Sequence, residues 1–233
     1  MLNGACIALA LAPGLVSSMN GSQGRFVETF RGGNVEANWE ILMSSGTSAV
    51  VPEGGHPGAH LVNTIQCCWP APVVRTIAPA SIFTGDYRAL GVKTLGLDMT
   101  MRLAQPAPHP DFSMTLMLVH DNGTPANSAD DTWVYLNLAK PIPWPGQGWK
   151  SYDFRVPSQL DLPFGVLPLG WKFYQDPFGG PPLANHTWRE VMENVSQVWF
   201  LGINDPAAIG AFWNWRLGVD NLRITWGPPL AGP

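Results

Sequence analysis

Charge is scarce in this chain. Only 13% of its 233 residues are Asp, Glu, Lys or Arg, about half the ~25% usual for soluble domains. Thirteen Lys and Arg against 17 Asp and Glu leave a formal net charge of −4, and no basic run occurs anywhere. That excludes an electrostatic grip on nucleic acid or anionic lipid. Cysteine is scarcer still, with Cys6 in an early apolar run and Cys67 and Cys68 side by side. Neighbours on an extended strand point to opposite faces, so the pair reads as one buried and one exposed thiol, and neither a disulfide framework nor CxxC metal spacing is present. No stretch approaches the ~20 apolar residues of a transmembrane helix, which predicts no membrane insertion. The motifs GxSxG, GxGxxG, HExxH and the P-loop are all missing, which removes the common hydrolase, dinucleotide, zinc-protease and phosphotransfer readings.

What the chain has in quantity is Gly (25), Pro (23) and Trp (11). Helix breakers at this density exclude a helical bundle, and the tryptophans argue against disorder. From about residue 25 onward, short segments alternate apolar and polar residues between Gly, Pro, Asn and Asp, the period-2 signature of half-buried strands. The clearest are residues 113–119, 133–138, 149–156, 198–203 and 219–225, with weaker ones at 60–65, 73–77 and 93–103. Eight or more strands predict an all-β, antiparallel two-sheet β-sandwich of the jelly-roll kind. One helix is expected near 188–195, opened by Thr187 and Glu190 as a capping box. Pro-rich connections at 105–111, 140–148 and 176–185 cannot supply ladder N–H groups at their prolines and read as loops or edges, where specificity can be built. Residues 5–16 have the length of a signal-peptide core, though no Lys or Arg precedes them, so residues 1–24 read as signal and linker. Residues 25–227 then form one domain and 228–233 a tail, and the product is expected to be secreted.

Several segments together resemble a family: FVETFRGGNVEANWEI at 26–41, FTGDYRALGVKTLGLDM at 83–99, GWKSYDFRV at 148–156 and WRLGVDNLRIT at 215–225. In this order they are similar to bacterial secreted laminin-B-like or jelly-roll domains of surface proteins. The resemblance implies a two-sheet sandwich with a binding face or loop rim, of the carbohydrate-binding or adhesion type. The chain departs from sorted members in lacking a C-terminal hydrophobic anchor, which favours release.

Three residue groups are candidates for function. Glu28 near the start and Asp220 near the end would lie on adjacent strands and could hold a structural Ca²⁺, helped by backbone carbonyls and Glu36 or Asn221. Trp213, Trp215, Leu217 and Val219 share one face, whereas Leu222 and Ile224 keep that phase only if a residue is inserted, so a β-bulge is expected at Asp220 and Asn221. Trp144, Trp149 and Trp171 sit in or beside Pro- and Gly-rich segments, where a flat ring could stack on a sugar. Trp39, Trp133, Trp199, Trp213 and Trp215 follow strand patterns and are expected between the sheets. Asp121-Asn122-Gly123 reads as a tight turn. The N-x-S/T sequons at Asn20, Asn122, Asn185 and Asn194 matter only in a eukaryotic secretory pathway.

Catalytic constellations are thin. His56 and His60, four apart on an extended chain, would stand roughly 13 Å apart, and His109, His120 and His186 are scattered. Tyr87, Arg88 and His120 are the first suspects for a site assembled across strands. The expectation is a secreted, non-catalytic module that recognises polysaccharide or another extracellular partner through loop aromatics. The alternatives are a polysaccharide lyase or glycoside hydrolase on the same scaffold, and a self-assembling matrix protein.

Overall fold

The computed structural model describes residues 23–32, 39–42, 47–64, 66–69, 72–76, 81–105, 112–124, 127, 129–175, 184–204 and 213–228. Outside them lie the early apolar run with Cys6, Asn20, Glu36, His109, residues 176–183 and the tail from 229, and the side chains of Cys67, Cys68 and Trp213 are outside the description as well. The described strands are β1 (Gly24–Glu28), β2 (Trp39–Leu42), β3 (Ser48–Gly55), β4 (Gly58–Asn63), β5 (Gln66–Trp69), β6 (Val73–Thr76), β7 (Val92–Gln105), β8 (Ser113–His120), β9 (Thr132–Pro141), β10 (Lys150–Arg155), β11 (Trp171–Phe173), β12 (Gln197–Gly202) and β13 (Trp213–Trp226). Two short helices accompany them, α1 (Tyr87–Leu90) and α2 (Trp188–Glu193).

The strands form the two antiparallel sheets of an all-β sandwich. The first runs β10-β7-β13-β4-β3, and the second β11-β9-β8-β12-β6-β2. The 14-residue β13 is the spine of the first sheet. One edge pairs with β7 along most of its length, and the other takes three shorter partners in turn: β5, then β4 at Gly218 and Val219, then β1 from Leu222 to Trp226. The first and last strands therefore lie side by side, as the sequence predicted.

Alternation decides what fills the space between the sheets. Leu95, Leu97, Met99 and Met101 of β7 meet Leu116 and Leu118 of β8, with Trp39, Phe154, Phe200, Trp215, Leu217, Val219, Leu222 and Ile224, in one buried cluster. Each large apolar side chain fully removed from water contributes about 1.5–3 kcal/mol. Trp39 and Trp215 belong to that core, as expected. Trp133 and Trp199 do not: they stand in the opposite phase, on the outer face of the second sheet, ring to ring at 5.4 Å beside Met117, Tyr135 and Tyr174. Arg75 lies over the Trp199 ring. The alternation was read correctly, but period 2 does not say which phase faces inward when both are apolar.

Helix α2 begins as predicted. Thr187 accepts from the Glu190 amide while the Glu190 carboxylate accepts from the Thr187 amide, and Trp188, Val191 and Met192 turn into the core. Helix α1 was not foreseen, although its caps are visible in the sequence: Asp86 accepts from the Ala89 amide and Gly91 closes the turn at φ 72°. The turn at 121–124 closes through the Thr124 amide to the Asp121 carbonyl, with Asn122 and Gly123 at positive φ. No helix among the described residues is long and apolar enough to cross a membrane.

Candidate functional site

The outer face of the first sheet carries what the inner face cannot, a set of charged and polar side chains in contact with one another. Asp98 and Thr100 of β7, Asp220 and Arg223 of β13, His60 of β4 and Asp153 of β10 all lie in the outward phase. Two irregularities aim this set. On β7, Met101 stands opposite Leu217 and Leu103 opposite Arg216, so Arg102 is an extra residue. On β13, Asp220 stands opposite Asp98 and Arg223 opposite Gly96, so β13 spends three residues where β7 spends two, with Asn221 at φ 49°. The second is the bulge expected from the break in apolar phase. Bulges re-aim side chains and are over-represented beside functional sites.

The bulge at Asn221 organises a network around Asp98. Its Oδ1 accepts from Arg223 Nη1 at 2.8 Å. Its Oδ2 accepts from Asn221 Nδ2 at 2.8 Å and from His56 Nδ1 at 2.9 Å. Burial on its own would raise the pKa of Asp98, but hydrogen bonds from Ser151, Asn221, His56 and Arg223 outweigh it and hold the carboxyl below its usual range. An ionised Asp98 only accepts, so His56 carries its proton on Nδ1, and Nε2 has no partner among the described residues. Arg223 reaches on to Asp153 Oδ1 at 2.7 Å and to the Tyr152 carbonyl. Gly96 allows this, because a Cβ there would sit 2.5 Å from the Tyr152 carbonyl oxygen and 2.9 Å from Arg223 Nε.

Asp220 is fully buried and fastens the β3–β4 turn to the sheet. Its Oδ2 accepts from the His56 amide at 2.6 Å and its Oδ1 from the Asn221 amide at 2.7 Å. Burial pushes its carboxyl upward, and the nearby Asp98 charge adds to the push. The Asn221 side-chain amide donates to the His56 carbonyl. His56 is thus gripped at its N–H, its carbonyl and its ring, and the turn folds back over the sheet. The roughly 13 Å expected between His56 and His60 does not apply, because the chain between them is a hairpin. Both rings meet Trp149, His56 stacked at 6.0 Å and 6°, His60 edge-on at 5.5 Å and 87°.

His60 lies over Gly218, where a Cβ would come within 2.9 Å of the imidazole. Its Nε2 is 2.9 Å from Arg102 Nη2, which also reaches the Gly54 carbonyl. Guanidinium only donates, so Nε2 accepts and the proton sits on Nδ1, a buried donor with no acceptor among the described residues. Burial, then Arg102, then Arg216 lower the proton affinity of His60.

Of the three tryptophans expected to bind ligand, Trp149 is half-buried on this face and Trp144 is half-buried at the head of the turn just before it, where the Gln147 amide donates to the Trp144 carbonyl. Trp171 is corrected. It is not a loop platform but the first residue of β11, 6% exposed and packed edge-on against Trp188 at 4.9 Å. Of the residues expected to hold calcium, Asp220 is in the network, but Glu28 stands opposite Leu222 and accepts from the Phe30 amide. Between them the two carboxylates accept from three amide N–H groups, and Glu36 lies outside the described residues. Among the described residues no group of three or more His, Cys, Asp or Glu is placed to hold a metal ion. Tyr87 and Arg88 are structural: the Tyr87 hydroxyl donates to the Phe83 carbonyl, and Arg88 holds the carbonyls of Ser158 and Leu160 and the Asp161 carboxylate.

The scattered His120 and His186 meet at the C-terminal end of β8, an interior strand of the second sheet, ring centroids 4.2 Å apart. Thr132 Oγ1 accepts from the amides of Asn185 and His186, so its own hydrogen goes to His186 Nδ1 at 3.0 Å. Burial and then the adjacent His120 lower the proton affinity of His186, against the pull of Glu190, Asp130 and Asp131. His60 and His186 thus share one sign. A histidine lowered by folding contributes stability that is present above its unfolded value of 6.5 and is lost as pH falls through its lower folded value. Unfolding free energy should therefore drop between pH 7 and 5. Asp220, raised on folding, works in the opposite sense, so the informative comparison is between wild type and His60→Gln, which keeps an acceptor for Arg102 but cannot titrate. Urea melts across that pH range should show a shallower slope in the variant, and identical slopes would rule His60 out.

Comparison with known protein families gives no match, and no curated protein matches the sequence. Among solved structures, the chain is similar to an exo-β-agarase, at 11% identity and TM-score 0.45, over 88% of this chain and 25% of that one. It is similar to a second agarase at 11% identity and TM-score 0.46, over 89% and 25%. A third is the glycoside hydrolase domain of Endo-D from Streptococcus pneumoniae, at 8% identity and TM-score 0.35, over 80% and 21%. This chain spans a quarter or less of the length of each.

Proposed function

We propose that this chain is an exported, non-catalytic binding domain that takes a polysaccharide on the outer face of its first sheet, with Trp149 as the stacking surface. One observation carries the reading. Bulges on the two central strands turn Arg102 and Asn221 onto the same face as a half-buried indole that His56 and His60 hold in place. A sugar ring needs a flat apolar surface for its C–H face and fixed donors and acceptors for its hydroxyls; here His56 stacks on Trp149, Asn221 shares the Asp98 carboxylate with His56, and Ser151 and Asp153 follow in the outward phase of β10.

Binding is favoured over catalysis because the carboxylates are occupied. Both oxygens of Asp98 and both of Asp220 hold the turn and the guanidinium of Arg223. A polysaccharide-active enzyme is the second reading, and one feature favours it: the Asp98–His56 pair resembles the oriented imidazole of a general base, with Nε2 unengaged. One assay separates the two. In affinity electrophoresis against a panel of soluble polysaccharides, wild type should be retarded by at least one, and Trp149→Ala should weaken that affinity about 30-fold, or ~2 kcal/mol. Retardation that survives Trp149→Ala would overturn the assignment of the face. New reducing or unsaturated ends, lost in His56→Ala, would move the assignment to catalysis.

A further inference from the structure

The groups around Trp149 are not symmetric. Towards Asn221, donors and acceptors are mixed and Arg223 is neutralised by Asp98 and Asp153. Towards the other bulge, guanidiniums stand without carboxylate partners among the described residues. Arg102 and Arg216 are both exposed, and among the described residues neither has a carboxylate within ion-pair distance. Arg102 is not a loose surface side chain, since the bulge displaces it from the ladder and His60 Nε2 and the Gly54 carbonyl fix one of its nitrogens, its other N–H groups having no partner among the described residues. Next to it is the His60 Nδ1–H, buried and without an acceptor. Arg216 is near enough for its charge to act on the His60 ring. In a chain of net charge −4, a corner with two guanidiniums and no carboxylate within ion-pair distance among the described residues is not a consequence of overall composition.

The geometry points to an anion subsite at Arg102 and Arg216, beside Trp149, that takes a carboxylate or sulfate group on the bound glycan. This rests on the glycan reading above and narrows its substrate class to acidic polysaccharides. Planar guanidinium matches the paired oxygens of either group. The stacking surface is next door, so the sugar ring and its charged substituent can be held together. The remaining acceptor-rich groups, Asp153 and Asn221, would face hydroxyls.

The test uses glycan pairs that share a backbone and differ only in charge: polygalacturonate against its methyl ester, and a sulfated galactan against its desulfated form. Wild type should bind the charged member of at least one pair about tenfold more tightly at low salt, and the difference should shrink as ionic strength rises. Arg102→Gln with Arg216→Gln should erase the preference for the charged member, read at a temperature where a melting curve shows the variant folded. Arg155→Gln, an exposed arginine farther along the same face, should leave the preference intact. Equal wild-type affinity for both members, or a preference that the double variant keeps or Arg155→Gln removes, would overturn the subsite and leave the glycan reading standing. Retardation by no glycan at all would overturn both.

Discussion

Asp98→Ala is expected to destabilise the protein by about 3–5 kcal/mol. The side chains of Asp98 and Arg223 are only 6% and 8% exposed. Removal of the carboxylate leaves the guanidinium in a dry site with Asp153, itself 59% exposed, as its one acidic partner among the described residues. The same substitution releases the His56 ring and one bond of Asn221, so the β3–β4 turn loses part of its fastening. The loss should come mainly from the stranded charge. Asp98→Val combined with Arg223→Met should then recover at least half of it, because a buried ion pair exchanged for apolar groups is often neutral. Urea melts of the three proteins at pH 7 decide this, and a double variant no better than the single one would show that the charge is not the cause. The sign in acid is also fixed. Folding lowers Asp98, so its contribution is present above the unfolded value of 3.8 and fades as pH falls through the folded one. The gap between wild type and Asp98→Ala should narrow towards pH 3.

That network shows where the sequence was legible and where it was not. The bulge at Asp220 and Asn221 could be read because it breaks a phase: Leu217 and Val219 point inward on odd numbers, Leu222 and Ile224 on even ones, and only an inserted residue reconciles them. The bulge at Arg102 leaves no such trace, since Leu103 and Ala104 after it are small or half-buried and the apolar pattern simply fades towards the strand end. The place of Asp220 on the last strand is legible in the sequence, but the two amide N–H groups its oxygens accept from are not, because the bulge and the β3–β4 turn bring them there. Asp98 went unnoticed. Its importance comes from register, which places Ser151 on one neighbouring strand and Asp220 on the other, and pairing between strands far apart in sequence is not written in either strand alone. The signal that could have found it is a lone acid in the otherwise charge-free run from Leu95 to Met101, where a buried charge calls for partners.

The histidines follow the same logic at shorter range. His56 and His60 were separated on the assumption of extended chain, yet Gly54, Gly55, Pro57 and Gly58 crowd the interval, and a run of such residues is a turn signal. Once the hairpin is recognised, the two rings fall on one side of it, and Trp149 is the surface they meet.

Trp171→Ala should cost stability and not affinity, the reverse of what its sequence context suggests. Pro168, Leu169 and Gly170 before it look like a loop, and a loop tryptophan looks like a platform. In the fold those residues form a tight turn, with Gly170 at φ 87° and the Trp171 amide donating to the Pro168 carbonyl. The turn delivers Trp171 into β11, opposite Leu136, with its ring against Trp188 at the end of the core. Truncation to alanine there removes a large buried surface and leaves a cavity that Trp188, itself fixed by a bond from its indole N–H to the Pro157 carbonyl, cannot fill by moving. A loss of about 3–5 kcal/mol is expected, which for a chain of this size lowers the melting temperature by roughly 10 °C. At a temperature where the variant is folded, its glycan affinity should equal that of wild type, whereas Trp149→Ala should melt almost normally and bind about 30-fold more weakly. The two variants measured side by side separate a tryptophan that builds the sandwich from one that the sandwich presents. An unshifted melting curve for Trp171→Ala together with lost binding would return Trp171 to the ligand and place the binding surface at the other end of the molecule.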